Sequence, residues 1–168
     1  MQTRLIMRPL RSTERVLTNA SVEEIPRCRA RYPPADRFCQ SRVTPHETLL
    51  RVGQVVADGG ACEETRIIPA AWIDDIVQNG SADAWDAGVF APFFPGRKMH
   101  YRNKWYVDLG EAPLLFALGI HGQYLFVDRR NQLVIVMRSS QADPLDAQLI
   151  LLTMTAVSHF REIFALSQ

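Results

Sequence analysis

A chain of 168 residues that is 47% apolar has the material for one domain core and too little for two. Its net charge of +1 excludes any argument from overall charge for a nucleic-acid or membrane partner. The charge is unevenly spread, because residues 1–42 hold nine Arg and no Lys against four acids, while residues 43–168 hold eight Arg and two Lys against fourteen acids.

Cys28, Cys39 and Cys62 are too few and too widely spaced for a disulfide framework or a metal site, and read as reduced thiols. His46, His100 and His159 lack metal-ligand spacing, so no metal is expected. No signal-peptide pattern opens the chain, and the longest uncharged apolar stretch, residues 147–157, is too short to span a bilayer. A soluble, cytoplasmic protein that does not engage a membrane is the expectation.

Residues 1–42 are punctuated by Pro9, Pro26, Pro33 and Pro34 and show little periodicity, which predicts a basic, poorly structured N-terminal segment. Its only aromatics are Tyr32 and Phe38, too few for a base-stacking surface, so no nucleic-acid partner is expected.

At Thr44 the pattern changes, and residues 43–168 read as one unit. Thr44 can cap a helix, Pro45 suits its first turn and Glu47 completes a capping box. Leu49, Leu50, Val52, Gly53 and Val56 supply its apolar stripe, and Asp58-Gly59-Gly60 ends it. Arg66-Ile67-Ile68 reads as a short strand. Pro69 then starts a second helix over 70–78 with Trp72, Ile73, Ile76 and Val77 inward, closed by Asn79-Gly80.

Residues 79–99 read as a loop. Strands are predicted over 105–107, 123–127 and 132–138, the last two joined by a hairpin turn at Asp128-Arg129-Arg130-Asn131. Residues 114–119 lead into the second of these strands. The unbroken run Leu133-Val134-Ile135-Val136-Met137 predicts a strand buried on both faces. Asp143 and Pro144 are placed to open a long helix to about Leu166, whose wide apolar face should lie across the sheet. The order of elements gives an α+β class with an antiparallel sheet flanked by helices. The sheet looks too small to close, and the two early helices have no evident partner layer.

Several segments carry a family resemblance. They are Arg51-Val52-Gly53-Gln54 with Asp58-Gly59-Gly60, then Arg66-Ile67-Ile68-Pro69-Ala70-Ala71-Trp72-Ile73, then Tyr101-Arg102-Asn103-Lys104-Trp105-Tyr106. Gly119-Ile120-His121-Gly122-Gln123-Tyr124-Leu125-Phe126-Val127-Asp128 and Leu133-Val134-Ile135-Val136 with Ser139-Ser140 follow. In this order the chain resembles the C-terminal part of the β-lactamase-related serine hydrolases. That group includes class C β-lactamases, penicillin-binding esterases and 6-aminohexanoate-oligomer hydrolases, and Gly-Ile-His-Gly-Gln is most similar to the last branch.

The resemblance implies a partial β-lactamase/transpeptidase-like fold, hydrolysis of a small amide or ester, and no cofactor. It also implies a nucleophilic Ser in Ser-x-x-Lys, an assisting Tyr, and a third motif on a sheet strand beside the nucleophile. Here His121, Gly122, Gln123 and Tyr124 fall in that third slot. Gly122 would let the strand approach the substrate, His121 would orient it, and the N–H of Gln123 or Tyr124 would serve an oxyanion hole.

Ser-x-x-Lys is missing from the sequence. Its only lysines are Lys98 and Lys104, preceded three residues earlier by Pro95 and Tyr101. Without that Lys an unaided Ser hydroxyl is a poor nucleophile at neutral pH. Tyr101-Arg102-Asn103 mimics a Tyr-x-Asn motif but lies on the approach to the sheet, too close to Gly119 for a catalytic role.

The chain is therefore expected to be a truncated, inactive member, to be half of a split hydrolase, or to bind a partner through residues 1–42. An Arg-rich, Lys-free, Pro-punctuated stretch is also what a GC-rich coding region gives when read out of frame. On that view residues 1–42 were never shaped to the sheet, which would leave an open sheet edge and self-association.

Overall fold

The computed structural model describes the backbone of three strands within residues 4–25 and the chain from residue 45 to residue 166. The elements in order are β1 (Arg4–Pro9), β2 (Glu14–Thr18), β3 (Ser21–Ile25), α1 (Pro45–Ala57), β4 (Ala61–Cys62), β5 (Thr65–Arg66) and α2 (Ala70–Gln78). Then come α3 (Ala82–Asp86), β6 (Met99–Arg102), β7 (Trp105–Asp108), β8 (Leu114–Gly119), β9 (Gln123–Asp128), β10 (Leu133–Arg138) and α4 (Ala147–Ala165).

Strict alternation along the central strands builds two cores. Leu133, Ile135 and Met137 of β10, with Tyr124 and Phe126 of β9 and Leu114 and Phe116 of β8, face one side. Val134, Val136, Leu125, Val127 and Leu115 face the other. The unbroken apolar run of β10 thus reflects a strand covered on both faces. On the first face lie Ile150, Met154 and Val157 of α4, with Trp85 and Phe94. On the second lie Leu50, Val56 and Ala57 of α1 and Ile73 and Ile76 of α2. The early helices therefore have the partner layer that the sequence left unassigned, and the fold is α+β with an antiparallel sheet flanked by helices and a C-terminal helix packed on it. Gly53 lets α1 sit directly on β10, since a Cβ there would lie 2.4 Å from Cγ1 of Val134.

Among the described residues the sheet has eight strands in the order β3-β2-β1-β10-β9-β8-β7-β6, every neighbouring pair antiparallel. This corrects two expectations. Residues 114–119 form a full strand, in register with β9 from Leu114↔Asp128 to Gly119↔Gln123. The segment expected to be poorly structured contributes β1, β2 and β3, and β1 pairs with β10 from Arg4↔Arg138 to Pro9↔Leu133. The edge of β10 is thereby occupied, contrary to the expectation of an open edge. Pairing with a partner so distant in sequence leaves no signature in local periodicity. The expected Thr44 cap lies outside the described residues.

Smaller differences have local causes. Trp72, expected inward, is 37% exposed, because Ile73 and Ile76 already fill the contact of α2 with the sheet. Residues 79–99 contain α3, capped by the Ser81 hydroxyl accepting from the Ala84 N–H at 3.1 Å. The last helix starts later than Asp143-Pro144 implied, because the Asp146 carboxylate accepts the N–H groups of Gln148 (2.9 Å) and Leu149 (3.0 Å). Among the described residues, no helix is long and apolar enough to cross a membrane.

Candidate functional site

The segment singled out from the sequence forms the corner between β8 and β9, a single turn of 3-10 helix over Ile120–Gly122 that leads into Gln123. His121 occupies the left-handed region at φ 57° and Gly122 follows at 77°. Two consecutive residues in this region turn the chain sharply, and glycine is the residue that accepts it without strain.

The corner is pinned by the chain that follows β10. The His121 N–H donates to the Pro144 carbonyl at 2.9 Å, the Gln141 N–H to the His121 carbonyl at 3.3 Å, and the Ser139 N–H to the Gly122 carbonyl at 3.1 Å. His121 Nδ1 lies 2.9 Å from the Gln141 carbonyl oxygen. A carbonyl only accepts, so Nδ1 carries a proton, and in the neutral tautomer that leaves the lone pair on Nε2.

The other slot residues are committed to the fold. Gln123 Nε2 donates to the Ser139 carbonyl, and Gln123 Oε1 accepts from Arg138 Nε at 3.1 Å. Tyr124 is 3% exposed and packs its ring 6.0 Å from that of Phe126. Burial raises its phenol pKa, opposed by a hydrogen bond with the Gln141 side chain and reinforced by the charge of Asp146. A Cβ on Gly122 would meet Gln141 Nε2 at 2.6 Å and Ser139 Cβ at 2.8 Å. The close approach that glycine permits here is that of the Gln141 and Ser139 side chains.

The sequence reading gave the oxyanion N–H to Gln123 or Tyr124. β9 is an interior strand, with Gln123 opposite both Gly119 and Arg138 and Tyr124 opposite both Leu118 and Met137. Their main-chain N–H groups face ladder partners rather than an open edge. Gln141, buried to 5% exposure and in contact with three of the four slot residues, carried no local signal in the sequence. Only the folding of the segment after β10 onto the corner places it there.

Tyr101, Arg102 and Asn103 lie at the β6 edge of the sheet, in and after that strand. Arg102 grips Asp75 of α2 with two hydrogen bonds of 2.9 and 2.8 Å, and Asn103 adds a third of 2.9 Å. The Asp75 carboxyl is held down to about 2, chiefly by Arg102 and then Asn79. These residues tie a hairpin to a helix.

The sheet architecture and the Gly119–Asp128 segment together resemble part of a β-lactamase-related hydrolase. Over 96 residues the chain is 34% identical to the 6-aminohexanoate-dimer hydrolase of Paenarthrobacter ureafaciens, a match covering 57% of this chain and 24% of that protein. A solved structure named "Putative 6-aminohexanoate-dimer hydrolase from Bacillus anthracis" superposes with a TM-score of 0.53 at 27% identity, over 70% of this chain and 29% of that one. The chain thus spans about a quarter of the length of the relatives it matches. No protein-family profile matches the sequence.

Proposed function

We propose that this chain is a truncated β-lactamase-related serine hydrolase that keeps the sheet and the third-motif corner and has no turnover by itself. The observation that carries this is the missing Ser-x-x-Lys, since neither Lys98 nor Lys104 has Ser three residues before it. Without that lysine an unaided Ser hydroxyl is a poor nucleophile at neutral pH. His121, Gly122, Gln123 and Tyr124 would be the substrate-side element of the site, and the ligand a small amide or ester. A second reading is half of a split hydrolase. A separately encoded chain would then supply Ser-x-x-Lys.

The test is hydrolysis of a chromogenic β-lactam and a short-chain nitrophenyl ester by the purified chain. The expected rate equals the buffer blank. Turnover well above it, abolished by an active-serine reagent, sinks the first reading. A Ser-x-x-Lys reading frame in the adjacent coding DNA separates the second from it.

A further inference from the structure

The sequence holds one Asn-Gly pair, Asn79-Gly80, and Asn79 is exposed at the end of α2. In a continuing helix the Gly80 N–H would donate to the carbonyl of Ile76, four residues back. That carbonyl instead faces Nε2 of His100 at 2.8 Å. The Gly80 N–H has no hydrogen-bond partner among the described residues. By contrast, in the Asp58-Gly59 pair the Gly59 N–H donates to the Val56 carbonyl at 3.2 Å. Gly80 also lacks the Cβ that would shield its nitrogen. None could be added, since it would lie 2.2 Å from Cδ2 of His100.

We propose that Asn79 is a site of spontaneous deamidation, and that the product loosens α2 from the β6–β7 hairpin. The Gly80 nitrogen attacks Cγ of Asn79. The N–Cγ bond forms, the Cγ–Nδ2 bond breaks, and Nδ2 leaves as ammonia with the proton that Gly80 gives up. Water then opens the five-membered imide. Opening at Cγ leaves Asp, and opening at the main-chain carbonyl leaves isoaspartate, with one more methylene in the backbone. With ψ of 21° at Asn79, the Gly80 nitrogen lies near the residue's own nitrogen and away from its side chain, so the peptide turns before the ring closes. No hydrogen bond from the Gly80 N–H opposes that turn.

The product weakens a clamp. Asn79 Nδ2 donates to Asp75 Oδ1 at 3.0 Å, and Arg102 and Asn103 of the hairpin hold the same carboxylate. Deamidation replaces that donor with a second carboxylate, beside the first and at a helix C-terminus, and both placements are unfavourable. The extra methylene of isoaspartate falls where the chain passes the His100 ring of edge strand β6, on its way from α2 on one face of the sheet to Trp85 on the other.

The test is incubation of the unaltered, folded chain in mildly alkaline buffer, followed by peptide mapping. The amide-to-acid mass change and labelling by an isoaspartate-specific carboxyl methyltransferase read residue 79. The expected result is conversion at Asn79 at a rate that rises with hydroxide. It should be roughly tenfold faster than at Asn103 or Asn131, whose next residues carry side chains. Asn79→Gln, which would have to close a larger ring, should stay unmodified at that position. Asn79→Asp should lower the melting temperature, and Asp75→Asn in that background should recover part of the loss by removing the like charge. Conversion at residue 79 in urea alone, with the folded chain intact, overturns the proposal, because the fold would then protect the pair. Equal rates at Asn79, Asn103 and Asn131 overturn it too. An Asn79→Asp chain that melts with the unaltered one overturns the loosening of α2.

Discussion

Arg161, three-quarters of the way along α4, donates from Nε to the Asp128 carboxylate at 2.6 Å, and Asp128 is 1% exposed at the start of the β9–β10 turn. The same guanidinium donates from Nη2 to the Ala112 carbonyl at 2.6 Å, ahead of β8. One side chain thus ties the C-terminal helix to both ends of the hairpin that forms the middle of the sheet. Asn131 completes the carboxylate's shell through its N–H at 3.1 Å and its Nδ2 at 2.8 Å.

Arg161→Leu should lower stability by about 3 kcal/mol, because it strands a buried carboxylate. Asp128→Asn in the same background should recover part of the loss by removing the charge. Urea denaturation of the three chains measures this. A double variant no more stable than Arg161→Leu would show that helix packing, rather than the ion pair, sets the cost.

Asp75 has a folded pKa of about 2 against an ordinary 3.8. Between these values the unfolded chain binds more protons, so stability falls as pH drops through the window and the contribution is gone below about 2. The group lies at the surface, so the effect is small and weakened by salt. The wild-type melting temperature should fall more between pH 4 and pH 2 than that of Asp75→Asn. Parallel curves would assign the acid sensitivity to other carboxylates.

Gly122→Ala combines a left-handed backbone with a Cβ less than 3 Å from the Ser139 side chain. The backbone term alone costs about 1–3 kcal/mol. The ring resonances of Tyr124 should shift with the melting temperature, since Gln141 contacts both residues. An unchanged Tyr124 environment would mean that the corner yields without disturbing the loop.

Deleting residues 1–42 removes β1, the strand that pairs with β10 along its length. An unpaired interior strand becomes an edge, which predicts a lower melting temperature and more self-association in sedimentation. An unaffected melting temperature would restore the expectation that this segment was never matched to the sheet.

Local chemistry made several elements legible. Pro69 and Asn79-Gly80 bound α2 at the residues the sequence indicated, because proline and a glycine-containing stop act through the backbone of their immediate neighbours. The β9–β10 hairpin was legible for the same reason, being a turn between two apolar runs. β8 was not, since only Ile120-His121-Gly122 separate it from β9 and no run of polar turn residues marks the break. β1 was hidden because what pairs with it lies far along the chain.

The candidate site divides the same way. The sequence by itself determined that Ser-x-x-Lys is missing and that His121-Gly122 stands directly before a strand, since residue identity and short spacing need no fold. Only the tertiary structure decided which corner atoms remain available. Ser139, Gln141 and Pro144 arrive from beyond β10 and take up the main chain of His121 and Gly122. Ser139 and Arg138 take up the Gln123 amide, and burial takes Tyr124. A hydrogen-bonding group satisfied by a distant partner looks identical in sequence to one left free, because what fixes its state is the position of the other atom.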